Sequence, residues 1–287
     1  MQNAADRGND IPDTYTSPFL PELPKSRNDR VSWGRLYGNS TGLPIFTAAE
    51  QYDGLVVVIT PDSQHANRLE TELNFYASGS QINIFQLPDW ETLPYDLFSP
   101  HQDIISQRLE TLYHLPDLKK GILIVPVATF MQRLMPNSYL QANSLILETG
   151  DQLQPEEMRR KLEQAGYNCV SQVMEHGEFA IRGSLIDLFP MGTNTPYRID
   201  LFDDEVESIR TFNPDTQLSI DKVSSIRLLP AREFPMNDET IKKFRQAYRI
   251  RFEGDPQQSL IYRDVSQGIA PPGIEYYLPL FFDRTET

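Results

Sequence analysis

Residues 176–210, HGEFAIRGSLIDLFPMGTNTPYRIDLFDDEVESIR, decide how this chain is read. Short alternating runs are punctuated by Gly183, by the MGTNTP turn at 191–196 and by Asp203-Asp204, the pattern of a hairpin-rich antiparallel sheet. Over residues 197–202 a strand's period of two separates Tyr197, Ile199 and Leu201 from Arg198, Asp200 and Phe202. The first trio is a core face. The second sets an arginine, an acid and an aromatic side by side, and arginine and aromatics are enriched at protein-binding hot spots. On pattern alone the commoner alternative is a solvated strand face with Phe202 tucked under a neighbouring helix or loop.

Further strands are expected around that run at 168–174, 178–182, 184–189, 206–213 and 224–229. One helix starts near Pro155 with Met158, Leu162 and Ala165 on one side. Together these predict an antiparallel α+β domain over residues 137–233. The preceding segment has a different rhythm. LVVVIT at 55–60 reads as a buried strand, Asp62 as the cap of a helix carrying Ala66, Leu69, Leu73 and Tyr76, and 82–85 as a second strand. Asp103 reads as the cap of a helix with Ile105, Leu109 and Leu112, and 122–127 as a third strand. Strands alternating with helices predict a parallel α/β domain over 31–136, which the α+β domain interrupts. A short helix is expected at 128–134. Residues 1–30, polar and rich in Pro, Asn and Asp, read as a disordered arm. Residues 234–287, opening with a helix that aligns Ile241, Phe244 and Tyr248, read as the return to the α/β domain.

A net charge of −14 argues against duplex DNA or an anionic membrane as the main partner, since phosphate binding needs clustered Lys and Arg. No apolar run approaches the roughly 18 residues of a membrane span, and no signal peptide opens the chain. The single cysteine, Cys169, excludes an intrachain disulfide and fits a reducing, cytoplasmic location.

A nucleotide-binding α/β domain usually carries a glycine-rich loop ending in Gly-Lys-Ser/Thr. Ahead of the strand at 55–60 lies only the turn 38–44, GNSTGLP, which has no lysine; none occurs between Lys25 and Lys119, and Pro44 removes an amide donor. This predicts a P-loop-NTPase-like fold with a degenerate nucleotide site. The four histidines lack metal-ligand spacing, and the Glu175-His176-Gly177-Glu178 turn reads as solvated. The acidic run Asp200, Asp203, Asp204, Glu205 and Glu207 reads as a hairpin tip rather than a Mg²⁺ site. Lys242, Lys243, Arg245, Arg249 and Arg251 read as a solvated helix face.

The chain resembles the N-terminal, UvrB-like module of the bacterial transcription-repair coupling factor (Mfd). Five segments carry the resemblance: LPDWETLPYDLFSPHQDIISQRLET at 87–111, VMEHGEFAIRGSLIDLFPMG at 173–192, YRIDLFDDE at 197–205, LLPAREFP at 228–235 and GIEYYLPLFF at 273–282. RGSLIDLFP and YRIDLFDDE are also similar to UvrB, which keeps the Gly-Lys-Thr that is missing here. The resemblance implies a non-catalytic module that recruits the UvrA repair ATPase and helps hold the resting protein autoinhibited, with ATP used only by motor domains outside this chain. RNA polymerase and DNA would be met only through those other domains, and intramolecular contacts with the rest of the protein are expected. Carried over by position, the UvrA-binding residues are Arg182, Arg198, Phe202 and, between the last two, Asp200. The alternative is a nucleotide-dependent DNA-handling enzyme related to UvrB. The missing lysine, the acidic balance and the lack of Gly-Lys-Thr and DExx motor motifs weigh against it.

Overall fold

The computed structural model describes residues 19–34 and 36–286. The arm expected over 1–30 therefore falls outside the described residues up to residue 18, and residues 19–30 carry neither helix nor strand. Helix α1 (Gly42–Gln51) leads into β1 (Leu55–Thr60), α2 (Ser63–Ala77), β2 (Ile84–Gln86), α3 (Gln102–His114) and β3 (Gly121–Pro126). The three strands form a parallel sheet in the order β1-β3-β2. β3 is the central strand and is buried along its whole length, which suits its continuous apolar run. Ile122 and Ile124 face α1 and α2 through Ile45, Phe46, Ala66, Leu69 and Leu73. Leu123 and Val125 face α3 through Ile105, Leu109 and Leu112.

The parallel rhythm then ends. Helices α4 (Val127–Phe130) and α5 (Asn137–Ala142) lead to β4 (Leu145–Glu148), α6 (Pro155–Gln164) and the strands β5 (Asn168–Cys169), β6 (Glu178–Arg182), β7 (Leu185–Leu188), β8 (Tyr197–Phe202), β9 (Glu205–Phe212), β10 (Ser219–Val223) and β11 (Ser225–Leu228). Six of them make one sheet in the order β10-β9-β8-β7-β6-β5, antiparallel except for the β5–β6 pair; β11 pairs with β4. Last come α7 (Asp238–Arg251), α8 (Leu260–Ser266) and a 3-10 helix (Ile274–Phe281), packed around Phe234, Phe244, Tyr248, Tyr262 and Phe281. The described residues form a mixed α/β fold with one parallel sheet and two further sheets that are antiparallel but for the β5–β6 pair, consistent with a UvrB-like fold.

Some local expectations shift. The cap of α3 is His101, whose ring accepts the Asp103 amide, so Asp103 stands in the first turn, where a carboxylate favours the helix dipole. The Asp62 cap forms as read, accepting the His65 amide at 2.8 Å. The strand expected over 168–174 shrinks to Asn168–Cys169, and the helix at 128–134 to Val127–Phe130. α1, β4 and β10 lacked a clear period in the sequence.

One buried ion pair joins α3 to the segment that follows β11. Arg108 of α3 and Glu233 are both almost wholly inaccessible. Arg108 donates Nε and Nη2 to the Glu233 carboxylate and Nη1 to the Pro88 carbonyl at 2.6 Å; Trp90 donates its Nε1 to the same carboxylate at 3.2 Å. The Trp90 ring also lies under the guanidinium, 4.9 Å from its carbon. Thus the Leu-Pro-Asp-Trp stretch at 87–90, α3 and the segment after β11 meet at a single satisfied charge pair, the arrangement that makes a buried charge tolerable.

Candidate functional site

The face singled out in the sequence belongs to the six-stranded sheet. Its inner side is the core: Tyr197 packs half-buried, while Ile199 and Leu201 are buried with Ile186, Leu188, Phe179 and Ile209. On the outer side a row of directly paired residues runs Ala180, Asp187, Arg198, Arg210, Lys222 across β6 to β10. The adjacent row runs Arg182, Leu185, Asp200, Ser208. Arg182, Arg198, Asp200 and Phe202 therefore do share one face, but they are not equally free.

Asp187 organises that face and was not singled out from the sequence. Its side chain is 0% exposed, yet it carries a carboxylate. Arg198 grips it in a fork, Nε to Oδ1 at 2.7 Å and Nη2 to Oδ2 at 3.0 Å, and Arg182 adds its Nη2 to Oδ2. Hydrogen bonding to Asp187 pushes the pKa of the Arg198 guanidinium above its ordinary value. Arg198 also donates Nη1 to the Gln217 carbonyl at 3.1 Å and to Ser219 Oγ at 3.4 Å, and lies 4.9 Å over the Phe212 ring. Only 16% of its side chain is exposed. The picture of Arg198 as a solvent-facing arginine is therefore corrected: paired arginine and buried carboxylate turn it into the sheet.

Asp200 is similarly engaged, accepting from Ser208 Oγ at 2.9 Å and lying 3.2 Å from Arg210 Nη2. Arg182 is different. It ends β6 at a two-residue turn where Gly183 takes φ +62°, the left-handed region a glycine enters without strain, and half of its side chain is exposed. Phe202 is 69% exposed and is not covered by a helix or loop. It sits at the tip of the β8–β9 hairpin, opposite Glu205, and Asp203 turns the chain with φ +52°. The tip is braced from the side, where Leu153 donates its amide to the Asp204 carbonyl at 2.6 Å and Val206 and Gly150 bond residues 151 and 206 at 2.9 Å.

Two other regions singled out in the sequence have a defined geometry. The turn 38–44 does not connect a strand to a helix; it leads into α1, and Pro44 lies in that helix's first turn. The β1-to-α2 crossing is Thr60 to Ser63, where the Asp62 carboxylate occupies the helix N-terminus. The His65 amide holds that carboxyl below the usual range. A cleft of about 230 Å³ opens there between Thr41, Thr60, His65 and Arg68, and Arg68 is already bound to Glu72 at 2.9 Å and to Asn39 at 2.7 Å. The Glu175–Glu178 turn is solvated only in part: Glu175 is exposed, but Gly177 is buried and His176 is drawn inward. His176 packs on Phe189 and bridges the Asp103 carboxylate (2.7 Å) and the Thr193 carbonyl (2.6 Å), joining α3 to the antiparallel sheet.

Residues 145–234, which contain this face, match the family described as UvrB interaction domain. The transcription-repair-coupling factors of Haemophilus influenzae and Escherichia coli are 49% and 48% identical to the chain over 275 and 262 residues, or 95% and 91% of it. Over most of its length the chain is thus similar to transcription-repair-coupling factors. The factor of Rickettsia bellii is more distant, 32% identical over 79% of the chain. The chain spans about a quarter of the length of these relatives, 24% and 23% for the first two. Within the sequence the hidden member of the face, Asp187, had one available signal. In Leu185-Ile186-Asp187-Leu188 the acid falls on the phase of the strand opposite to Ile186 and Leu188, and therefore on the side that carries Arg198.

Proposed function

We propose that this chain is a non-catalytic interaction module that binds the repair protein UvrA through the outer face of the six-stranded sheet. The observation that carries the reading is Phe202, a large aromatic left bare at a braced hairpin tip, on the same sheet face as the half-exposed Arg182 and inside the segment similar to the UvrB interaction domain. Phe202 supplies the desolvated anchor, and Arg182 a charge-assisted bond to an acid of the partner. Arg198 and Asp200 belong to the face as its frame. Binding there recruits UvrA to RNA polymerase stalled at damage, and masking of the same face in the resting protein is the autoinhibitory element. The UvrB-like α/β unit, residues 31–136 continued by 234–287, carries the inserted unit 137–233 and has a nucleotide site that no longer works. The lysine-free β1-to-α2 crossing and its own capping carboxylate support that part.

Calorimetric titration with UvrA tests the proposal. Phe202→Ala and Arg182→Ala are expected to weaken binding while leaving the unfolding transition in place, and wild-type affinity in both variants overturns the assignment. Saturable micromolar ATP binding by the chain would instead favour a nucleotide-dependent enzyme related to UvrB.

A further inference from the structure

Two arginines meet one buried carboxylate on the outer face, and they spend their donors differently. A guanidinium has five N–H groups. Arg198 commits Nε and one Nη2 hydrogen to Asp187, and Nη1 to Gln217 and Ser219. Arg182 commits a single Nη2 hydrogen to Asp187, and its remaining N–H groups have no partner among the described residues. Nor does its own face supply one: the acid in its row, Asp200, is held by Ser208 and Arg210. One negative charge between two positive ones leaves the cluster with a surplus of about one positive charge, and the only well-exposed place for it is Arg182.

We propose that Asp187 is a positioning residue of the partner-binding face. It pins one nitrogen of Arg182, so that the rest of the guanidinium fork points outward for a carboxylate of the partner, and the two hydrogen bonds from Arg198 hold Asp187 in place. The proposal rests on the reading of this face as the UvrA-binding surface. An exposed arginine ordinarily has to give up its rotamer freedom when it binds; an arginine already anchored at one nitrogen, next to a rigid two-residue turn, has given up much of it beforehand. The chemistry required of the partner is a carboxylate that can accept a guanidinium fork, next to an apolar socket for Phe202.

The test is calorimetric titration of UvrA onto the 287-residue chain and four variants, each checked for folding by its circular dichroism melt. Asp187→Asn is expected to weaken binding about tenfold in the wild-type background and by less than about twofold in the Arg182→Ala background, since a positioning residue has nothing left to position there. Arg182→Lys keeps the charge at a half-exposed site but has no fork to share between Asp187 and a partner. It is expected to bind within about threefold of Arg182→Ala, whereas an arginine acting as a simple surface charge would leave Arg182→Lys near wild type. Wild-type affinity in Asp187→Asn, an equal loss in both backgrounds, or wild-type affinity in Arg182→Lys overturns the proposal while leaving the UvrA assignment standing. If Asp187→Asn does not fold, the comparison of Arg182→Lys with Arg182→Ala decides alone. A wild-type chain that does not bind UvrA overturns the partner, and this proposal with it.

Discussion

Two arginine–carboxylate nodes in this molecule use the same chemistry at different depths. At Arg108–Glu233 every guanidinium nitrogen has an acceptor, both side chains are sealed, and Trp90 closes the node from one side. At Asp187 the carboxylate is just as deeply buried, but it lies under the surface of a sheet, and one of its two arginines is half out in solvent. The first node has no donor exposed to anything outside the fold. The second does, at Arg182. Burial of a carboxylate by itself thus says little about function; what distinguishes the two nodes is whether a donor is left within reach of solvent.

Breaking the sealed node should have the largest effect. Glu233→Ala strands a buried guanidinium and is expected to cost about 3–5 kcal/mol in urea unfolding, without a specific effect on UvrA contact beyond loss of folded protein. Arg198→Ala removes the fork from Asp187 but leaves Arg182 in place, so a smaller cost of roughly 2–3 kcal/mol is expected in the same measurement. A neutral result for Arg198→Ala would mean that the outer node is not structural and would erase the contrast. Phe202→Ala should change stability by no more than about 0.5 kcal/mol, because most of the residue lies in solvent. Yet it should lose about 2 kcal/mol of UvrA binding, roughly 30-fold in Kd.

The smallest effect concerns an acid near the sealed node with no fork around it. Burial pushes the Glu275 carboxyl above its ordinary value near 4.5, and the nearby Glu233 adds to the rise. A raised carboxyl is neutral and harmless at low pH and becomes a cost as pH climbs from the unfolded-state value through the folded one. Glu275→Gln is therefore expected to be at least as stable as wild type at pH 7, with the difference closing near pH 4 in thermal melts. A larger advantage at acid pH than at neutral pH would contradict that sign.

The strands of the outer face were legible because alternation is local. Tyr197, Ile199 and Leu201 point inward as a period of two requires, and the Gly183 and Asp203-Asp204 turns fall where their residue types put them. The identities on the outer row were legible too, but not their state. Whether Arg198 faces water or is drawn into the sheet depends on Asp187, eleven positions away on the next strand. Arg108 escaped notice for a related reason: a helical face is read from its apolar residues, and a charge on that face makes sense only once Glu233 is beside it. The short strands β4 and β10 are fixed by their neighbours rather than by their own pattern: β4 is mostly exposed and pairs with β11, and β10 carries a register shift against β9.

The buried pair between α3 and the segment after β11 joins residues 125 positions apart, with the whole six-stranded sheet made in between. A ribosome adding about 5–20 residues per second needs roughly 6–25 s to pass from one to the other. For that interval α3 carries an arginine whose acid has not yet been made. The first unit to be started is thus among the last to be finished, and the interaction sheet, whose own clamp spans only residues 182 to 198, can assemble while its scaffold is still waiting.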